Sequence, residues 1–267
     1  MSVKNLNECF VSFCSLREKI LNEESIEDIK FMYPTTLVPL LPFIECGVKI
    51  NNDIGIYVTS ISEPVKARPD FTLEKIERGK TFFKMDSMIE LLSTKHNKST
   101  LQYLFTELLT NIYVHSDFKT AFAMAQIYPD SSFIEFCLYD DGITIPESLR
   151  HHDDSFKSIE DCHLINHALN GKSSKAKNDF ERGFGMNTSA QVIIDGYGGE
   201  LFISSLDGSI FIKSGDKQPV LNIHDKAAYY RINGTLVGLR IPCREEKVSY
   251  YPYLEKRRSF IGKEVKL

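Results

Sequence analysis

The segment from Thr100 to Val114 restricts the fold more than any other stretch of the chain. Leu101, Leu104, Phe105, Leu108, Leu109 and Ile112 recur at three- and four-residue steps, which predicts an amphipathic helix with one face sunk in a core. On another face Glu107, Asn111 and His115 stand four residues apart, so a helix would align them in one polar stripe. Such a stripe suits a hydrated cation. An Asn amide oxygen is a hard ligand for Mg2+, which keeps most of its waters, and a Glu can orient or deprotonate one of them. Taken alone, the pattern also describes an ordinary solvated helix face.

Two further motifs follow. In Leu138-Tyr139-Asp140-Asp141-Gly142-Ile143-Thr144-Ile145-Pro146 an apolar strand runs into an acidic pair and a glycine. A carboxylate at a strand end can accept a hydrogen bond from an exocyclic amine such as adenine's, and the glycine lets backbone approach a flat base. An Asp-Gly turn after a strand is also common. In Arg182-Gly183-Phe184-Gly185-Met186-Asn187-Thr188 two glycines precede an apolar helix. Free N–H groups at a helix start make a phosphate cradle, although a lone G-x-G is a weak signal. No GxxxxGK[ST] loop is present.

The order and spacing of these motifs resemble the Bergerat fold of the GHKL superfamily, which includes histidine kinases, DNA gyrase and the anti-sigma-factor serine kinases. ELLTNIYVH is similar to its N box, YDDGITIP to its first glycine box and RGFGMNT to its second. Asn233-Gly234-Thr235, leading into LVGLRIP, is similar to the strand that closes the adenine pocket.

The resemblance implies ATP and Mg2+ as ligands. It assigns Asn111 to Mg2+, Asp140 to the adenine amine, and Gly142 to a position beneath the base. Gly183, Gly185 and the amides of Phe184, Met186 and Asn187, with Arg182, would hold the phosphates. Thr235 would support the Asp140 end through its hydroxyl. Glu107 would be the general base, and His115 a structural or phosphate-proximal group.

One position departs from the family pattern: Thr144 replaces the second glycine of D-x-G-x-G. A β-branched residue avoids positive φ, so extended backbone is expected there. Residues 147–181 would be an ATP lid, polar and irregular, with Lys172 able to reach the phosphates. A solvated loop accounts for that stretch as well. His163 and His167 have the spacing of a metal pair, although a lid is a poor rigid cage for zinc.

The whole reads as an α+β protein of three parts. Residues 1–80 would form a small α/β domain. Its strand (26–33), Pro34-opened helix and Gly47 stop are similar to a STAS-like core. Residues 63–80 would be a connector. Residues 81–245 would form a two-layer sandwich, a mixed and mostly antiparallel sheet with helices on one face. Residues 246–267 would be a solvated basic tail. Composition limits the partners: 32 basic against 36 acidic residues give a net charge of −4, which invites neither nucleic acid nor an anionic membrane. No apolar run approaches the roughly 20 residues of a membrane span, and the N-terminus lacks a signal-peptide plan, so a cytoplasmic protein is expected. The six scattered cysteines predict reduced, mostly buried thiols.

Two functions fit: an ATPase or protein kinase using Glu107, or an ATP-gated interaction switch. Either implies a protein partner or substrate, and a homodimer is compatible with both. A sensor histidine kinase fits less well, because the one upstream histidine, His96, has no H-E-x-x-x-P context.

Overall fold

Ala121, Ala123, Ala125 and Ile127 alternate with Phe122 and Met124 along one strand, and both sets are buried. A strand presents successive side chains to opposite faces, so this one needs cover on both. The computed structural model of the protein describes residues 3–24, 26, 29, 31–49, 55, 70–79, 85–171, 185–216, 218–224, 229–243, 247–255 and 258–266. Among them, eight strands form one sheet in the order β1-β2-β3-β7-β4-β5-β6-β8. These are β1 (Phe71–Glu77), β2 (Thr120–Tyr128), β3 (Phe133–Asp140), β4 (Glu200–Leu206), β5 (Gly208–Lys213), β6 (Val220–Ile223), β7 (Ile232–Pro242) and β8 (Lys263–Lys266). Every neighbouring pair is antiparallel except β6 and β8.

The helices divide between the two faces. On one lie α4 (Met85–Ser93), α5 (Lys98–Asn111), α7 (Asp161–Leu169) and α8 (Gly185–Gln191), whose Leu92, Leu104, Ile165 and Ala190 share a core with Ala123, Phe136, Ile203 and Leu239. On the other lie α1 (Leu6–Leu21), α2 (Pro34–Leu37), a 3-10 turn (Val38–Leu40) and α3 (Leu41–Glu45), where Phe10, Phe13 and Leu40 meet Phe122, Cys137 and Leu236. The expected cover of one face by helices is thus joined by a second layer. The described part of residues 1–80 does not close around a core of its own: β1 pairs with β2 along seven residues, and α1 packs on the sheet.

A buried polar joint fixes that second layer. Glu135 and Arg240 face each other across β3 and β7 and form an ion pair at 2.6 Å. Glu135 also accepts the Thr35 N–H (2.9 Å), and Arg240 donates to the Lys4 carbonyl. Both ions therefore find polar partners in the N-terminal segment, as buried charge requires.

Several local expectations change. Residues 31–33 are coil and no strand is described over 26–33, although the Pro34 opening and the Gly47 stop form (φ +98°). The connector 63–80 contains β1, with Phe71 and Leu73 buried. Asn97 caps α5, accepting the Ser99 and Thr100 N–H groups. The expected irregular lid is helical over its described part: α6 (Ile145–His152), a 3-10 turn (Asp154–Phe156), then α7. Arg150 joins these pieces, donating to Asp161 (2.5 Å) and to the Ile159 carbonyl (2.7 Å). The tail is not free either. After the short α9 (Tyr251–Leu254), Phe260 is buried in the helix-side core and β8 extends the sheet. Cys46 is exposed and Cys243 partly so, while the other four cysteines are buried and all six are free thiols.

Candidate functional site

Helix α5 does not end as a regular helix. It passes into a π turn (Ile112–Ser116) and stops at Asp117, in the left-handed region at φ +49°. His115 lies within that turn. Asn111 Nδ2 is buried without a hydrogen-bond partner. A half-turn of the amide would present oxygen at the same place.

At the end of β3 the acidic pair separates by role. Asp141 Oδ1 accepts the Lys119 and Thr120 N–H groups (2.8 and 2.9 Å) and so fixes the start of β2. Asp140, 1% exposed, accepts the Gly142 N–H on Oδ1 (3.0 Å), while Oδ2 is buried without a partner. Burial pushes its carboxyl up to about 7, against the lowering effect of the Gly142 N–H and the Ser116 hydroxyl. An unpaired carboxylate oxygen at such depth is costly unless a donor reaches it.

Asp140 belongs to a row across the sheet end. In register, Ala121 lies beside Asp140, Asp140 beside Thr235, and Thr235 beside Ser205. All four share the face covered by α4, α5, α7 and α8, by alternation from the core residues of each strand. The Thr235 hydroxyl is 3.1 Å from the Ser205 hydroxyl, which also donates to the Gly234 carbonyl (2.7 Å) and accepts the Ile145 N–H (3.0 Å). Thr235 thus neighbours Asp140, as expected, with its hydroxyl engaged by Ser205.

Gly142 has a different local reason from the expected one. A side-chain carbon there would fall on the Ser116 carbonyl, which also accepts the Ile143 N–H. The glycine lets the β3 loop close onto the end of α5. Thr144 is extended, as expected for a β-branched residue (φ −70°, ψ 156°), and caps α6. Its hydroxyl donates to Glu147 Oε2 (2.7 Å), which also accepts the Thr144 N–H (3.1 Å).

The second glycine motif is partly described. Lys172, Arg182, Gly183 and Phe184 lie outside the described residues. Gly185 opens α8, and a side-chain carbon there would meet the Glu107 carboxylate, so α5 and α8 touch at that point. Burial raises the Glu107 carboxyl above its usual range. Met186 packs against the core. The Asn187 side chain is engaged elsewhere: Nδ2 donates to the Leu169 and Arg258 carbonyls (3.0 and 2.9 Å), and Oδ1 accepts from Gln191 (2.8 Å).

Glu107, Asn111, Asp140, Gly142, Gly185 and Thr235 thus lie on elements that meet at one end of the sheet. Sequence reasoning missed Ser116 and Ser205, which carry no motif of their own. A groove of about 490 Å³ between α4 and α5 is lined by residues such as Ile89, Phe105, Tyr113 and Thr110, the last next in sequence to Asn111, but by none of the expected site residues. Among the described residues no group of His, Cys, Asp or Glu is arranged to hold a metal ion, and no helix is long and apolar enough to cross a membrane. His163 instead meets Glu264 at 2.9 Å.

Compared with protein-family models, with curated proteins and with solved structures, the chain matches none.

Proposed function

We propose that the sheet end between α5, the β3 loop and α8 is a Bergerat-type, GHKL-like site for ATP with Mg2+, and that the protein hydrolyses ATP or transfers its terminal phosphoryl group to a protein partner. The observation that carries the reading is the Asp140 carboxyl: deeply buried, bonded on one oxygen and orphaned on the other. A ligand N–H such as the adenine amine fits that demand. The orphaned amide atom of Asn111 supports a hard-cation position on the neighbouring helix. The contact of Glu107 with Gly185 supports a carboxylate base beside the phosphate end.

In this reading Asp140 and the Thr235 row orient the base, Asn111 offers its amide oxygen to Mg2+, and Glu107 takes a proton from the attacking hydroxyl. Burial of Glu107 makes it a stronger base near neutral pH. The bound metal would supply charge neutralisation at the phosphates. The switch reading keeps the same binding residues and dispenses with Glu107 as a base. The fixed Thr144–Glu147 capping box favours it, because that turn is already committed to α6.

Phosphate release with MgATP, on wild type and Glu107→Gln, separates the two. Turnover lost in Glu107→Gln, with binding kept, supports the enzyme. Binding without release by wild type, even with candidate protein substrates, supports the switch.

A further inference from the structure

One segment touches both α5 and the start of α8, and the residue that follows α7. Residues 247–255 start beside α5. There the Thr100 hydroxyl donates to the Val248 carbonyl (2.8 Å), and Tyr250 stacks flat on Tyr103 at 4.4 Å and 6°. Tyr103 lies one helical turn before Glu107, and the Glu107 charge adds to burial in raising its phenol. Further on, the Arg258 carbonyl accepts Asn187 Nδ2 at the start of α8 (2.9 Å). Asn170, just past α7, then clamps Phe260 on both sides: Oδ1 accepts its N–H (2.7 Å) and Nδ2 donates to its carbonyl (2.9 Å). The segment finally pairs as β8 along β6.

The side chain of Asn187 is therefore spent on this segment and on Leu169, in a chain position where sequence alone suggests a phosphate ligand. Asn170 and Asn187 tie the end of α7 and the start of α8 to the same strand of backbone. The Gly185–Glu107 contact sits two residues from the Asn187 tether.

We infer that residues 247–255 and 258–266 form a strap that sets the start of α8 against Glu107 and so governs how tightly the site holds its nucleotide, with Asn170 and Asn187 as positioning residues. This rests on the nucleotide reading above. Coupling between two sites is reciprocal: if the strap tightens nucleotide binding, nucleotide must tighten the strap.

The test is hydrogen exchange of the full chain with and without MgATP, with calorimetric titration of MgATP on wild type, Asn187→Asp and Asn170→Ala. The strap predicts that MgATP slows exchange at the Phe260 amide and along β8 in wild type. It predicts that each variant binds MgATP roughly tenfold more weakly and loses that slowing, while β3 amides exchange as before. Unchanged β3 exchange separates lost positioning from general unfolding. Wild-type binding with no change at Phe260 or β8, or variants that bind as wild type does, overturns the strap and leaves the nucleotide reading standing. A wild type that does not bind MgATP overturns both.

Discussion

Asp140 and His96 are both buried acid–base groups, and burial moves them in opposite senses. His96 packs edge-on against Tyr197 at 5.0 Å, and burial lowers its pKa to about 4. The folded protein therefore binds fewer protons at His96 than the unfolded chain between about pH 6.5 and 4, and stability falls as pH falls through that window. His224, also lowered to about 4 by burial, acts in the same direction. His96→Phe should remove one of these two contributions, so its thermal midpoint should drop less between pH 7 and pH 5 than that of wild type. Asp140, raised to about 7, works the other way: the folded state holds its proton longer, so its cost appears as pH rises from about 4 to 7. Asp140→Asn should gain stability relative to wild type at pH 8, with most of that gain lost by pH 5 and the rest by about pH 4, read by thermal unfolding across pH. Gly234 has φ +111°, and a side-chain carbon there would strike the Asp140 carbonyl. Gly234→Ala should cost about 2–3 kcal/mol or more in denaturant unfolding.

Among the elements, the ion pair of Glu135 on β3 with Arg240 on β7 binds the N-terminal layer to the sheet. Arg240→Ala would strand the fully buried Glu135 carboxylate and should cost about 3–5 kcal/mol, measured by chemical unfolding. That joint was invisible in the sequence, because an isolated Glu and Arg within apolar strands name no partner. Helix α5, strands β2 to β5 and β7, and the Pro34–Gly47 helical stretch were legible, because apolar periodicity and a proline opening specify them locally. β1 and β8 were not. The first carries charge on both faces, Glu74 on one and Lys75 and Glu77 on the other, and the second is held by pairing with β6 rather than by any apolar pattern of its own. α6 and α7 hid behind exposed polar faces, and only their buried Leu149, Leu164 and Ile165 betray the helical period.

At the scale of the whole molecule, one sheet carries a helical layer on each face, and its end at Asp140 gathers residues separated by more than a hundred positions. The glycines and Asp140 of that end were legible because such residues are demanded by backbone and charge. Ser116, Ser205 and the tethering role of Asn187 were not, since each depends on which backbone lies opposite. The central claim is that Asp140 receives a donor from a bound nucleotide. Ionised Asp140 is the accepting form, so affinity should rise with pH and level off above about 7. Calorimetric titration of ATP with Mg2+ at pH 6 and pH 8, on wild type and Asp140→Asn, tests this most directly. The account predicts wild-type binding that is tighter at pH 8, and an Asp140→Asn variant roughly tenfold weaker or worse at pH 8 with little pH dependence. No binding by wild type, or a variant that binds equally well at both pH values, would contradict it.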